Sequence, residues 1–379
     1  MTVATGWPAP ARHRVLGHLP RWTSDSLGLL TDGARTGPVF GLQLWRPAVV
    51  GYQPDWNRFV LGDLAGFRSR GSLSQLSPYL SAGVVALDAP AHRARRAALN
   101  PSFHRRAVTQ LLATPFAELA QQHLPTGEFD AAHYASEVIR AMMTRAFVGA
   151  GFPEPVMRSF LAPLDRPLPG PLLRRPIRIA RMQRALRNTL AEPDRDTLAP
   201  LFAELPGGVE EARVAIAAAY DTTAHTLAFA LWELAGQPEL AQPELIDGVV
   251  SETLRMYPAG WIGSRVAATD TEFDGRPIPA GRLVLYSPYL THRDPELWPD
   301  PQVFDPSRFD RPLPAWSYIP FSAGERTCLG AALATLMLRT AIGAFLDAPL
   351  RRVSKSMQPR GALTLTPRGP IRLRRGGPA

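Results

Sequence analysis

The chain has 379 residues, of which 45% are hydrophobic and 20% charged, a composition that suits a globular protein with a large core and excludes disordered or fibrous classes. Lys+Arg is 42 against Asp+Glu 33, a net charge of +9 carried almost wholly by arginine, since Lys355 is the single lysine. No nucleic-acid reading motif accompanies that charge, so a docking face for an acidic protein is the better reading of it, and no nucleic-acid partner is expected. Cys328 is the one cysteine, which rules out an intrachain disulfide, a multi-cysteine zinc site and an iron–sulfur cluster. Met1–Leu30 shows no signal-like apolar core and no run reaches ~18 apolar residues, so a cytoplasmic chain without a transmembrane anchor is expected.

In chain order, residues 37–60 read as strands and turns, with Val39–Leu44 and Ala48–Gly51 as candidates. Helical periodicity dominates from Pro90 to Phe147 and predicts helices over Arg93–Leu99, Ala107–Leu124 and Ala132–Phe147. Residues 163–176 carry Pro163, Pro167, Pro169, Pro171 and Pro176 and read as a loop. After it, Arg178, Arg181, Arg184 and Arg187 stand at near-helical spacing, as on a solvated face or one that touches a membrane surface peripherally.

Glu210–Leu234 predicts a long helix apolar on nearly every side, which belongs in a core. Asp221, Thr222, Thr223 and His225 interrupt it. Either the threonines satisfy themselves on the i−4 carbonyls and bend the helix, or the helix opens there toward a ligand. Pro243–Tyr257 is a helix that sets Glu252 and Arg255 on one face, with apolar neighbours that suggest burial. Thr271–Leu290 reads as strands and turns.

Phe321-Ser322-Ala323-Gly324-Glu325-Arg326-Thr327-Cys328-Leu329-Gly330 precedes a helix predicted over Ala331–Phe345. A lone cysteine at a helix N-terminus sits where backbone amides and the dipole favour a thiolate. Gly324 permits an unusual turn, Gly330 permits close approach of a flat body, and Arg326 can pair an acidic group.

This pattern resembles that of the cytochrome P450 family, the haem-thiolate monooxygenases, whose Phe-x-x-Gly-x-Arg-x-Cys-x-Gly signature is matched by Phe321, Gly324, Arg326, Cys328 and Gly330. The family's Glu-x-x-Arg pair is matched by Glu252 and Arg255, and its third salt-bridge partner by Arg308 within Phe304–Phe309. Asp221 and Thr222 match the acid–threonine pair, although Ala219 stands where glycine is common. His92, Arg96 and Arg265 match residues that hold haem propionates.

The resemblance runs through the whole chain and implies one domain, mainly α with small β-sheets, in the cytochrome P450 fold. A β-rich portion is expected about 37–60, 261–290 and 361–375, and a helical haem-binding portion about 90–257 and 321–348. It implies haem b held by Cys328, with His92, Arg96, Arg265 and Arg326 on the propionates and Asp221 and Thr222 relaying protons. It also implies a substrate pocket of Val84, Val85, Ala218, Gly260, Trp261, Ile262 and Leu363. The Pro258–Ile262 and Leu283–His292 stretches look like those of bacterial carotenoid-ring hydroxylases, with terpenoids and fatty acids as other apolar substrates. A hydrogen-peroxide-driven peroxygenase is the alternative. No flavin or iron–sulfur segment is visible, so O2-dependent turnover would draw electrons from an acidic ferredoxin or flavodoxin and its reductase, docked where Arg93, Arg95, Arg105 and Arg106 cluster.

Overall fold

Valine- and leucine-rich runs build the largest sheet. In the computed structural model, which describes residues 6–166 and 169–376, its order is Val39–Gln43, Pro47–Gly51, Leu283–Tyr286, Gly263–Ala267 and Phe67–Arg68. The first two strands form an antiparallel hairpin, and Pro47–Gly51 runs parallel to Leu283–Tyr286. Leu283–Tyr286 is buried at every position, as expected of a central strand covered on both faces. Smaller sheets pair Thr271–Phe273 with Arg276–Ile278, Pro359–Gly361 with Leu365–Pro367, and Arg372–Arg375 with both Gly127–Asp130 and Leu350–Arg352.

One stretch read as β is not. Pro54–Gly62, within the 37–60 region, is a helix. Pro54 supplies a preset φ in the first turn, Asp55 sits at the positive end, and Trp56 and Val60 bury at i, i+4. Local capping chemistry decides that segment over the alternation before it.

The predicted helices form with shifted ends, as Ala91–Phe103, Arg105–Gln122, Ala131–Phe147 and Ala331–Gly343. Pro176–Ala191 buries Met182 and Leu186 and leaves Arg181, Arg184 and Arg187 exposed, so its basic stripe faces solvent. In the proline-rich segment Gly170–Leu172 makes one 3-10 turn, while Pro167 lies outside the described residues.

Gly208–Leu234 is a single helix of 27 residues, here called the long helix, and it packs on Ala131–Phe147, Pro176–Ala191, Ile246–Met256 and Ala331–Gly343. It is long and apolar enough to cross a membrane, but 72% of its most apolar window is buried within the protein, the position of a core helix. Its polar centre does not break it. Thr222 Oγ1 donates to the Ala218 carbonyl at 2.8 Å and Thr226 Oγ1 to the Thr222 carbonyl at 2.8 Å, so the i−4 bonding available to threonine is used.

Candidate haem-thiolate site

The cysteine loop is a tight structure. The Cys328 amide donates to the Phe321 carbonyl at 2.8 Å and closes the loop on itself. Gly324 has φ +66°, and a Cβ there would lie 2.3 Å from the Leu61 carbonyl oxygen. Glycine is therefore required twice over, by conformation and by close approach. At Gly330 a Cβ would meet nothing within 4 Å; beside the cysteine there is open room.

Cys328 has an accessible surface, yet enough protein surrounds it that burial pushes its thiol pKa up, against the Gly330 amide and Arg96, which lower it. Accessible surface deep among protein atoms means a side chain that faces an internal space. The net direction corrects the simple helix-dipole expectation: without a cation beside it, this sulfur keeps its proton. A coordinated metal ion is what would remove it.

The long helix has a matching feature. Among its buried positions, Ala215, Ala218, Ala219 and Thr222 are only half-buried. Their spacing of i, i+3, i+4, i+7 is one helix face, so this stripe of the core helix is less closely packed than its neighbours. The Val84–Arg96 segment bridges this helix and the cysteine loop. The Val84 amide donates to Glu211 Oε1 at 2.9 Å, Arg326 donates to the Leu87 carbonyl at 2.6 Å, and Arg96 donates to the Thr327 carbonyl at 2.9 Å.

Above the loop, cations outnumber anions. His92, Arg96, Arg265 and Arg326 lie close enough to perturb one another. Burial, then Arg326 and Arg96, holds His92 down at about 4. Burial and Arg265 lower Arg326 to about 10, and burial lowers Arg96. Asp88 pairs Arg326 at 3.2 Å, and His92 Nδ1 and Arg326 Nε are buried without partners. Such a cluster suits a ligand that carries two carboxylates and can accept those hydrogen bonds. A soft sulfur with accessible surface, a bare glycine beside it and three half-buried arginines around a neutral His92 fit a haem held by its iron and its propionates. Among the described residues no group of three or more His, Cys, Asp and Glu could hold a metal ion, so the lone sulfur is the metal-binding candidate.

The acid and the alcohol of the central pair diverge. Thr222 lies on the half-open stripe, while Asp221 is 3% exposed and turns toward the C-terminal strands. Thr364 Oγ1 donates to Asp221 Oδ2 at 2.7 Å, and His225 Nδ1 lies 3.3 Å from Asp221 Oδ1. Burial pushes the Asp221 carboxyl up. Thr364 had no local signal in the sequence; it is 143 residues away.

The salt-bridge triad assembles. Arg255 Nε meets Glu252 Oε2 at 2.7 Å with both side chains 0% exposed, and Arg308 Nε lies 3.3 Å from Glu252 Oε1 at the edge. Arg255 also donates to the His292 carbonyl at 2.8 Å. His292 Nε2 accepts from the Ile319 amide at 2.9 Å, so its Nδ1 is the protonated nitrogen facing the Arg255 carbonyl at 3.2 Å. Burial holds His292 down at about 3, consistent with a neutral ring that joins this network to the segment before the cysteine loop.

Of the expected pocket residues, Val84, Val85, Ala218, Ile262 and Leu363 are half-buried and Gly260 is exposed. Trp261 differs. It is buried, packs at a tilt against Trp22 with ring centres 5.6 Å apart, and donates to the Ala362 carbonyl at 3.1 Å. Its ring therefore braces the Ala362–Leu363 turn.

The chain's relatives agree with this construction. Residues 240–360, which include the triad glutamate and the cysteine loop, match the Cytochrome P450 family model. A Mycobacterium tuberculosis protein named cytochrome P450 139 is 36% identical over 174 residues, 37% of this chain and 40% of that one. Cyclooctat-9-en-7-ol 5-monooxygenase of Streptomyces melanosporofaciens is 38% identical over 145 residues, 31% of this chain and 32% of its own length. Cytochrome P450 3A13 of Mus musculus is 34% identical over 161 residues, 35% and 32% of the two chains. The matches span about a third to two fifths of the length of these curated relatives. With its cysteine loop and buried triad inside the matched residues 240–360, the chain is similar to the cytochrome P450 family over that third of its length.

Proposed function

We propose that this protein is a haem-thiolate monooxygenase that hydroxylates an unactivated C–H bond of an apolar small molecule. One observation carries the reading: a single cysteine with accessible surface, in a loop held close to His92, Arg96, Arg265 and Arg326 and joined through the Val84–Arg96 segment to the long helix. The balanced reaction joins substrate, O2, two electrons and two protons, and yields alcohol and water. Bound haem b would supply the oxygen activation, with thiolate donation favouring O–O cleavage.

The chain's own residues do the rest. Cys328 would bind the iron, and His92, Arg96, Arg265 and Arg326 would neutralise the propionates and fix the ring's orientation. Ala215, Ala218 and Ala219 keep side chains short where the substrate must approach. Thr222 offers a hydroxyl on the same face, and Asp221 supplies protons from behind it. Val84, Val85, Ile262 and Leu363 would present apolar surface to the substrate. The name of the Streptomyces relative specifies cyclooctat-9-en-7-ol, an unsaturated hydrocarbon alcohol, which favours a terpenoid-like skeleton over a carotenoid or fatty acid. Electrons would come from an acidic ferredoxin or flavodoxin with its reductase, in a cytoplasmic setting.

Turnover under 18O2 with such a donor tests the reaction. One labelled oxygen should appear in the alcohol and the other in water, with reductant consumed in proportion. Product formed only with added hydrogen peroxide, and unlabelled from 18O2, would overturn monooxygenation in favour of the peroxygenase alternative.

A further inference from the structure

Beside the long helix lies a cavity of about 250 Å³, lined by Asp165, Asp221, His225, Arg360, Leu363 and Thr366 among others. Its walls include exposed Arg166, Arg368 and Gly369, while Asp221, at 3% exposed, is its deepest titratable group. Asp221 Oδ1, Thr366 Oγ1 and Arg360 Nε are buried there without hydrogen-bond partners. A polar cavity of this volume, with unpartnered donors and acceptors on several walls, is suited to hold several ordered waters.

We propose that this cavity is the inlet through which protons travel from solvent to Asp221, with Asp165 as its outer proton-exchanging carboxylate. The inference rests on the monooxygenase reading, which consumes protons at Thr222, next to Asp221 on the same helix. Asp165 keeps accessible surface and accepts a hydrogen bond from Tyr220 Oη at 3.1 Å. In the proposed path it takes a proton from water outside and releases one to the waters within. Asp221 Oδ1 receives one from them and passes one inward. Each carboxyl returns to its starting state, so one proton crosses and no charge accumulates. Asp165 is faced by Tyr220, Asp221 and His225 of the long helix and by Arg140 of Ala131–Phe147, with Arg166 beside it and Arg360 and Arg368 across the cavity. Burial, opposed chiefly by the Tyr220 bond, raises its carboxyl to about 6, close to where a proton donor works at neutral pH.

The test uses the haem-loaded protein and two readouts. In the infrared, a protonated-carboxyl band should titrate near pH 6 and vanish in Asp165→Asn. In turnover, coupling of O2 consumption to product should fall as pH rises through about 6. Asp165→Asn should abolish that inflection and raise peroxide released per product about tenfold or more, and Asp165→Glu should restore coupling. Tyr220→Phe removes a bond that favours the charged carboxylate, so it should move the inflection to higher pH; a merely structural role would not move it. If Asp165→Asn does not fold, an unmoved inflection in Tyr220→Phe overturns the inlet. So does wild-type coupling in Asp165→Asn across about pH 5.5–8. The carbon-monoxide spectrum separates the two layers. A wild-type protein without a thiolate-type Soret band overturns the reading beneath, whereas a thiolate band with an unchanged pH profile overturns the inlet alone.

Discussion

His92 shows how a binding site is written into the stability of a side chain. It is 4% exposed, its Nδ1 lacks a partner, and burial beside Arg326 and Arg96 holds it at about 4, against 6.5 when unfolded. Between those values the unfolded chain binds a proton that the folded chain refuses, so stability falls as pH drops from about 6.5 to about 4. His292, held at about 3, acts in the same direction. The haem-free protein should therefore lose thermal stability steeply over that window, and His92→Gln should flatten part of the loss. Bound propionates would favour a charged His92, so haem loading should flatten it too. Calorimetry of the haem-free, haem-loaded and His92→Gln proteins at pH 7, 5.5 and 4.5 checks this. An equal slope in all three would remove His92 from the anion site.

At the scale of elements, Glu252, Arg255 and Arg308 join three segments. Glu252 and Arg255 come from Ile246–Met256, Arg308 from the Pro306–Asp310 turn, and the Asp305 amide donates to Glu252 Oε1 at 2.9 Å. The Arg255 guanidinium then reaches the His292, Pro301 and Val303 carbonyls. Glu252→Ala leaves a buried guanidinium uncompensated, a cost of roughly 3–5 kcal/mol. That variant should yield little haem-loaded protein and a clearly lowered melting temperature. Haem content and melting at wild-type levels would mean that the carbonyl bonds alone carry Arg255. Glu252-x-x-Arg255 was legible in the sequence because i, i+3 spacing in an apolar helix is a local pattern. The helix at Pro54–Gly62 was not, because residues 37–60 read together as strands and turns, a reading that leaves out the helix-starting Pro54 and Asp55. The link of Asp221 to Thr364 was also invisible, since it depends on how the C-terminal strands cross the long helix.

Over the whole molecule, the +9 charge is less free near the cysteine loop than composition suggests. Arg93 is held by Glu325 at 2.6 Å, and Arg95 lies 3.7 Å from buried Glu211. Arg105 and Arg106 remain exposed at the start of Arg105–Gln122. The proposed docking face for an acidic donor therefore narrows to that pair, from the four arginines in sequence. Reduction by such a donor should slow about tenfold or more between low salt and ~0.5 M, where the Debye length falls to a few Å. Reversing Arg105 and Arg106 to Glu should have the same effect at low salt and leave ligand-induced spectral shifts intact. Stopped-flow reduction rates indifferent to both changes would place the donor elsewhere. The sequence showed which residues carry charge, and the fold showed which of them are already paired. The cysteine loop was legible because Phe321, Gly324, Arg326, Cys328 and Gly330 are close in sequence and each answers to a local requirement. The inlet side of the long helix was not, because it is assembled from segments as far apart as Asp165 and Thr366.

The central claim is that Cys328 binds haem iron as a thiolate. The reduced, carbon-monoxide-bound spectrum of the purified protein tests it most directly, with Cys328→His alongside. A red-shifted Soret band in the wild type that is lost in Cys328→His is the expected result. A wild-type band at the position typical of histidine-ligated haem, unchanged by the substitution, would contradict it.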